Sequence, residues 1–271
     1  MRAGWGRRGL IAVAAFYLLA LLVVPLVAVF FRAFEEGASA VWANLTSDAF
    51  THALWLTLLI TLIAVPLNTI FGVGMAILVV RRKVRGRHFL NLMADLPLAL
   101  SPVVIGFSLI LVWGIHGWFG SFFVDNGFRI IYAFPGMVLA TIFVSLPFVV
   151  REVIPVLRSV GTDQEEAAAV LGAGPWRTFW RITLPSIRWG VAYGVILTTA
   201  RALGEYGAVA VVSGRVTGQT ETATIYIDSA YTEFNQSGAF TAALVLAIIA
   251  IIVVVAVNLV VRQEALDGHH S

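Results

Sequence analysis

The stretch Asp163-Gln164-Glu165-Glu166-Ala167-Ala168-Ala169-Val170-Leu171-Gly172, continuing through Pro175-Trp176 to Ile182-Thr183-Leu184-Pro185, is a charged, Gly/Pro-punctuated island between long apolar runs. Its pattern predicts two short helices around a break. Thr162 or Asp163 is placed to cap the first helix, and Glu165 and Glu166 fall in its first turn, where a helix N-terminus favours negative charge. Gly172 and Gly174 stop that helix. Pro175 suits the first position of a second one, because its missing N–H would be unpaired there anyway, and Pro185 closes the segment. Ala167, Val170 and Leu171 share a face of the first piece, and Trp176, Phe179 and Trp180 share a face of the second. Each piece of this elbow therefore has an apolar face to bury.

The surrounding chain explains where such an elbow sits. Of 271 residues, 59% are hydrophobic and 12% charged, against about half and a quarter in soluble domains, and the mean hydropathy is +0.91. This is the composition of a polytopic membrane protein. The absence of cysteine excludes disulfides and thiolate metal sites. The one lysine, Lys83, lies between Arg82 and Val84 and so cannot belong to a phosphate-cradling Gly-Lys-Ser/Thr loop. If transport through this chain is driven by ATP, the nucleotide site belongs to another polypeptide.

Six apolar runs, at about residues 10–31, 53–80, 90–113, 130–150, 189–213 and 239–261, predict six transmembrane helices in an all-α membrane protein. The first, 22 residues long, exceeds the roughly 7 to 15 of a cleavable signal, so Ala38-Ser39-Ala40 reads as a coincidence and the run as an uncleaved anchor. Pro66 and Gly72 are expected to interrupt the second run. Pro97 and Pro102 are expected to bend the third beside a cavity, since prolines free carbonyls that neighbours or water must satisfy. Asp95, a few residues in from the basic cluster, reads as half of a structural ion pair near the interface rather than as a substrate contact. His116, between Trp113 and Trp118, falls where an aromatic belt belongs, and no second histidine or carboxylate stands near it at metal-ligand spacing.

The basic residues orient these runs. Fourteen lysines and arginines fall on the side holding Arg2, Arg7 and Arg8, the block Arg81-Arg82-Lys83-Val84-Arg85-Gly86-Arg87, the loop 151–188 and Arg262; only Arg32, Arg129 and Arg215 fall opposite. Basic residues stay inside. Both ends and the elbow are thus expected in the cytoplasm and residues 214–238 outside, where Tyr226, Ala230 and Glu233 against Ile227, Tyr231 and Phe234 predict a short amphipathic helix lying on the membrane face. The pair Gly190-x-x-x-Gly194 predicts close helix packing.

One run carries charge in its middle. Arg201 and Glu205, four apart within 189–213, are expected on one helix face near the membrane midplane, where a charge costs about 2.5 to 3.5 kcal/mol on insertion scales. Two readings stand, a structural ion pair and a role in a permeation path or gate. The polar candidates for that path are Arg201, Glu205, Thr198, Ser101 and Ser145.

The elbow's spacing, Glu166-Ala167-Ala168, three residues, Gly172, nine residues, Ile182-x-Leu184-Pro185, resembles the EAA loop of permease subunits of bacterial ATP-binding-cassette importers. In that family the elbow docks in a cleft of a cytoplasmic ATPase. The resemblance assigns coupling to Glu165, Glu166, Ala167, Ala168, Gly172, Trp176, Ile182, Leu184 and Pro185, and implies the type I importer permease fold over a single domain, 1–271. Arg201-Ala-Leu-Gly204-Glu205-Tyr206-Gly207, Val211-Val212-Ser213-Gly214, Gly218-Gln219-Thr220 and Tyr231-x-x-Phe234 resemble the CysW-type permeases of sulfate and thiosulfate importers. So do Val65-Pro66-Leu67-Asn68, Asp95-Leu96-Pro97 and Ser101-Pro102-Val103-Val104. Molybdate or tungstate permeases, which share the Arg-x-x-Gly-Glu core, are the nearest alternative, and an ion-gradient-driven transporter is the alternative of another class.

That resemblance implies a non-catalytic subunit in a bacterial inner membrane. Its partners would be a sister permease, two copies of an ATPase carrying ATP and magnesium, and an extracytoplasmic sulfate-binding protein. It implies no nucleic acid and no cofactor in this chain.

Overall fold

A computed structural model describes the chain from Ala3 to Arg81 and from Gly86 to Asp267, without the side chains of residues 3–9, 88, 257, 258 and 260–267. Arg2, Arg82, Lys83, Val84 and Arg85, and the side chains of Arg7, Arg8 and Arg262, lie outside the described residues. Among the described residues all regular secondary structure is helical. In order they form α1 (Ala3–Ala33), α2 (Ala38–Leu45), α3 (Asp48–Arg81), α4 (Arg87–Ala99), α5 (Pro102–Trp113), α6 (Gly120–Asp125) and α7 (Phe134–Val160). The elbow follows as α8 (Asp163–Val170), α9 (Pro175–Thr178), a π-helical turn over Phe179–Thr183 and α10 (Leu184–Ser186); then come α11 (Arg188–Leu203), α12 (Gly207–Val212), α13 (Ala223–Thr232) and α14 (Gln236–Asp267).

Among the described residues, Leu10–Ala33, Asp48–Arg81, Phe134–Val160 and Gln236–Ala256 are long and apolar enough to cross a bilayer singly. The third run is a broken pair, α4 and α5, bent by 114°. The break falls at Leu100-Ser101, just before Pro102, while Pro97 stays inside α4. Pro66 and Gly72, expected to interrupt α3, do not: the helix is continuous through both. Proline is tolerated in a membrane helix whose neighbours satisfy what it frees, and Gly72 serves packing instead.

The fourth run also departs from expectation. Arg151-Glu152 does not end it, and α7 continues ten residues beyond Val150 because Val153 and Leu157 prolong its buried face against Val73, Ala76 and Ile187. The fifth run is two helices, not one. α11 has 16 residues, about 24 Å at 1.5 Å each, too short for a hydrocarbon core of about 30 Å.

The centre of the bundle is α7 clasped by α3 and α11. Val149 is fully buried there because two glycines make room: a Cβ on Gly72 would stand 2.7 Å from Val149 Cβ, and one on Gly194 2.9 Å from Val149 Cα. Gly190 lets α11 approach the Glu152 carbonyl and Val156 in the same way, so the Gly190-x-x-x-Gly194 pair packs helices as its spacing predicts. A polar tie crosses this interface. Asn68 Nδ2 donates to Ser145 Oγ at 2.8 Å and to the Ile142 carbonyl at 3.2 Å.

α13 turns inward the face expected to be exposed. Tyr226 and Ala230 are buried against Phe50, Ala53, Ala239 and Ala242, with Tyr231 and Phe234 exposed. The helix is thereby held between α3 and α14. Asp95 does form a structural ion pair, with Arg151 of α7 at 2.9 Å.

Overpacking at Gly72 is expected to cost about 1 to 3 kcal/mol. Gly72→Leu should lower the thermal unfolding temperature of the detergent-solubilised chain, while Gly74→Leu, where a Cβ meets nothing within 4 Å, should leave it unchanged. Equal unfolding of the two variants would contradict this account of the centre.

A candidate coupling elbow and a charged pair at a helix break

α8 ends as its sequence requires. Gly172 has φ +84°, its N–H donates to the Ala169 carbonyl at 3.0 Å, and the Ala173 N–H donates to Ala168 at 2.9 Å. This paired closure of a helix C-terminus needs a left-handed residue, a conformation that costs an L side chain roughly 1 to 2 kcal/mol. The N-terminus differs from expectation. Neither Thr162 nor Asp163 caps a backbone amide; the Thr162 hydroxyl donates instead to Glu166 Oε1 at 2.7 Å.

The elbow is tied to the bundle by one carboxylate. Glu165 Oε2 lies 3.0 Å from Arg81 Nε at the end of α3, and Thr183 Oγ1 donates to Glu165 Oε1 at 2.9 Å. Arg81 Nη1 also donates to the Leu157 carbonyl of α7 at 3.1 Å. Thr183 and Ile187 are buried, and Ile187 packs with Val73, Val153 and Leu157. Of the residues assigned to coupling, Glu165 and Ala168 therefore face the bundle, and Ile182 and Leu184 are half-buried.

The others face outward. Glu166, Ala167, Trp176 and Pro185 are exposed, and Val170 and Leu171 are each 88% exposed. Trp176, Phe179 and Trp180 share one face as their spacing predicts, with Trp176 and Trp180 ring centroids 5.7 Å apart, yet Trp176 remains 72% exposed. Among the described residues Phe179 packs against the cluster of Val73, Val153 and Leu157, while Val170, Leu171, Trp176 and Trp180 stay exposed. Together they form a compact patch on a fixed mount.

The second constellation stands where α11 stops. Arg201 Nη2 approaches Glu205 Oε2 to 2.6 Å, a close charge contact without the angle of a straight hydrogen bond. The two do not share one helix face, because Glu205 lies beyond the last turn of α11. Its other oxygen accepts from the Ala208 N–H of α12 at 2.8 Å, and its carbonyl accepts from Thr224 Oγ1 at 2.7 Å. Glu205 is buried, whereas the Arg201 side chain is 29% exposed. The carboxylate thus serves the charge on one side of the break and a freed amide on the other.

The two broken runs meet. A Cβ on Gly207 would stand 2.9 Å from Pro102 Cβ, and one on Gly106 2.7 Å from Val211 Cβ, so α12 lies directly on α5. Ser101 is exposed at the first break. Thr198 is fully buried on α11, its hydroxyl without a partner among the described residues. Ser145 is not with them. Its hydroxyl is engaged by Asn68 and the Thr141 carbonyl in the α3–α7 interface, where the residue is buried.

A set of partners escaped the sequence reading. On α13, Asp228 accepts from Arg215 Nη1 at 3.0 Å and from the Tyr206 hydroxyl at 2.8 Å, and Arg215 Nη2 donates to that hydroxyl at 3.0 Å. This knot fixes both ends of α12. Nothing in local spacing signals it, because Tyr206, Arg215 and Asp228 follow no helical or strand period.

A bundle with broken helices and an elbow mounted beneath it defines a transport permease. The chain belongs to the family described as the binding-protein-dependent transport system inner membrane component, which it matches over residues 68–264. It is a multi-pass inner-membrane protein. Over 262 residues it is 48% identical to the sulfate transport system permease protein CysW of Synechocystis sp., covering 97% of this chain and 94% of that protein. It is 45% identical over 248 residues to the CysW protein of Escherichia coli K12, covering 92% and 85%. Its fold matches a bacterial ABC transporter involved in the import of the acidic polysaccharide alginate, with a TM-score of 0.78 at 18% identity over 96% of both chains.

If Arg201 and Glu205 served only each other, removing both charges would restore what either single change destroys. The Ala208 N–H predicts otherwise. Arg201→Ala/Glu205→Ala should remain less stable than the wild type by about 1 to 3 kcal/mol, the cost of a buried amide left without its acceptor. Thermal unfolding in detergent measures this, and wild-type stability in the double variant would reduce the pair to an isolated bridge.

Proposed function

We propose that this chain is the membrane-spanning subunit of an ATP-driven importer of sulfate and thiosulfate. The observation that carries the reading is identity of 45 to 48% along nearly the whole chain with permeases named for sulfate transport. The solved alginate importer, also known in complex with a pentasaccharide-bound periplasmic protein, supports partners of the same kinds here: an ATPase below and a binding protein above. The stoichiometry of the proposal is one copy of this chain with a sister permease and two ATPase subunits. ATP and magnesium are held on the ATPase, and this chain is non-catalytic.

In this reading the exposed patch of Val170, Leu171 and Trp176 seats in the ATPase. Closing of the ATPase pair moves the elbow, and the Glu165–Arg81 contact and buried Ile187 pass that movement to α3 and α7. The basic asymmetry supports an arrangement with both ends and residues 151–188 in the cytoplasm and 214–238 outside. Arg201, partly exposed beside the break, supplies a fixed positive charge to a doubly negative oxyanion. Glu205 moderates that charge, because too strong a site holds an anion rather than passing it.

Gly172→Val should uncouple transport while leaving the bundle folded, since a β-branched residue resists φ +84° yet meets no neighbour there. ATP-dependent sulfate uptake into vesicles should fall at least tenfold with the variant still inserted. Wild-type uptake in Gly172→Val, or uptake that continues after ATP depletion while an ion gradient persists, would overturn the coupling reading.

A further inference from the structure

Where α3 ends and α4 begins, Val79, Val80, Arg87, Asn91 and Arg158 line a cleft of about 300 Å³. A second cleft of about 240 Å³ continues between α4 and α7, shares Asn91 and Arg158, and reaches Asp95 and Arg151. Among the described residues the only carboxylate lining either cleft is Asp95, and it is already held by Arg151 at 2.9 Å. Arg87 and Arg158 are exposed and have no acidic partner among the described residues. Two guanidinium groups thus converge on one concave surface with no anion among the described residues to meet them.

The surroundings say which anion fits. Arg87 and Asn91 lie in the first two turns of α4, which has no acidic residue in its first turn to offset the positive end of its dipole. Guanidinium forks match the oxygens of a tetrahedral oxyanion, and the Asn91 amide is a further donor. The cleft also lies where the apolar helices α3 and α7 run out. Beside it, Phe89, Leu92 and Met93 of α4 are exposed, an apolar surface that acyl chains cover and a free ion leaves bare.

We propose that this cleft binds the headgroup phosphate of an anionic phospholipid in the cytoplasmic leaflet. The placement rests on the orientation given under Proposed function. The consequence is mechanical. Arg158 follows Leu157, whose carbonyl receives Arg81, so the phosphate braces α4 and α7 beside the mount of the elbow.

The test uses the full chain reconstituted in phosphatidylcholine bilayers with phosphatidylglycerol as the anionic probe, and native mass spectrometry of the lipid retained on release. The wild type should retain phosphatidylglycerol preferentially. Arg87→Gln/Arg158→Gln should lose that preference by roughly fivefold per arginine, and Arg129→Gln, at a distant basic residue, should keep it. Equal retention by the wild type and the double variant overturns the proposal. Displacement of phosphatidylglycerol by inorganic sulfate overturns the lipid assignment and gives the cleft to a soluble oxyanion. Arg87→Lys/Arg158→Lys, which retains both charges, should keep part of the preference, so a loss through misfolding is distinguishable. Labelling of Ser159→Cys by an impermeant thiol reagent in intact cells would refute the orientation without touching the lipid preference.

Discussion

Glu165 reaches Arg81 and Thr183 at 3.0 and 2.9 Å, and on this contact depends the connection between the elbow and everything above it. Its side chain and that of Arg81 are 22% and 11% exposed. The pair is part-buried, so removing one partner costs less than the ~3 to 5 kcal/mol of a fully buried pair but more than for an exposed one, because the survivor is left partly desolvated. The Asp95–Arg151 pair, with side chains half exposed, contributes about 0 to 1 kcal/mol. Magnitude thus separates the contact that fastens the elbow from one that only decorates the same face. A loop held by its backbone alone would fold back under load, whereas Arg81 also grips the Leu157 carbonyl, so three segments move together.

The bilayer imposes the second constraint. A membrane segment must satisfy its own backbone groups, so a helix breaks only where side chains stand ready. At the end of α11, Glu205 takes the Ala208 amide and Thr224 takes the Glu205 carbonyl. Gly207 and Gly106 let α12 settle on α5. The two broken helices hence support one another, and the buried Glu205 carboxylate is kept where a break needs an acceptor.

What was legible in the sequence was local. The elbow could be read because Gly172 and Pro175 act through their own backbone, and the apolar runs because hydropathy is a property of contiguous residues. Pro185, expected to close the segment, instead sits in the first turn of α10, which runs on to Ser186. Arg81 and Glu165 are 84 positions apart, and no period links them. The continuation of α7 past Arg151 was hidden because a charge looks like a membrane boundary, while Val153 and Leu157 mark a buried face only once α3 and α11 are in place. Ser145 looked like a path residue because a serine in an apolar run is conspicuous; its partner Asn68 lies on another helix. The face of α13 was misread because Tyr226 and Ala230 are buried by Phe50 and Ala242, contacts that amphipathic spacing does not reveal.

The central claim is that the elbow is fixed inward by Glu165 and offers its outward residues to an ATPase. The chain has no cysteine, so single cysteines can be introduced cleanly. Leu171, 88% exposed, and Ala168, 9% exposed, lie three positions apart on the same elbow. In the complex assembled with its ATPase, Leu171→Cys should cross-link to that subunit through a short bifunctional thiol reagent, and Ala168→Cys should not. Failure of Leu171→Cys to cross-link in a complex that still transports, or equal cross-linking at both positions, would contradict the account.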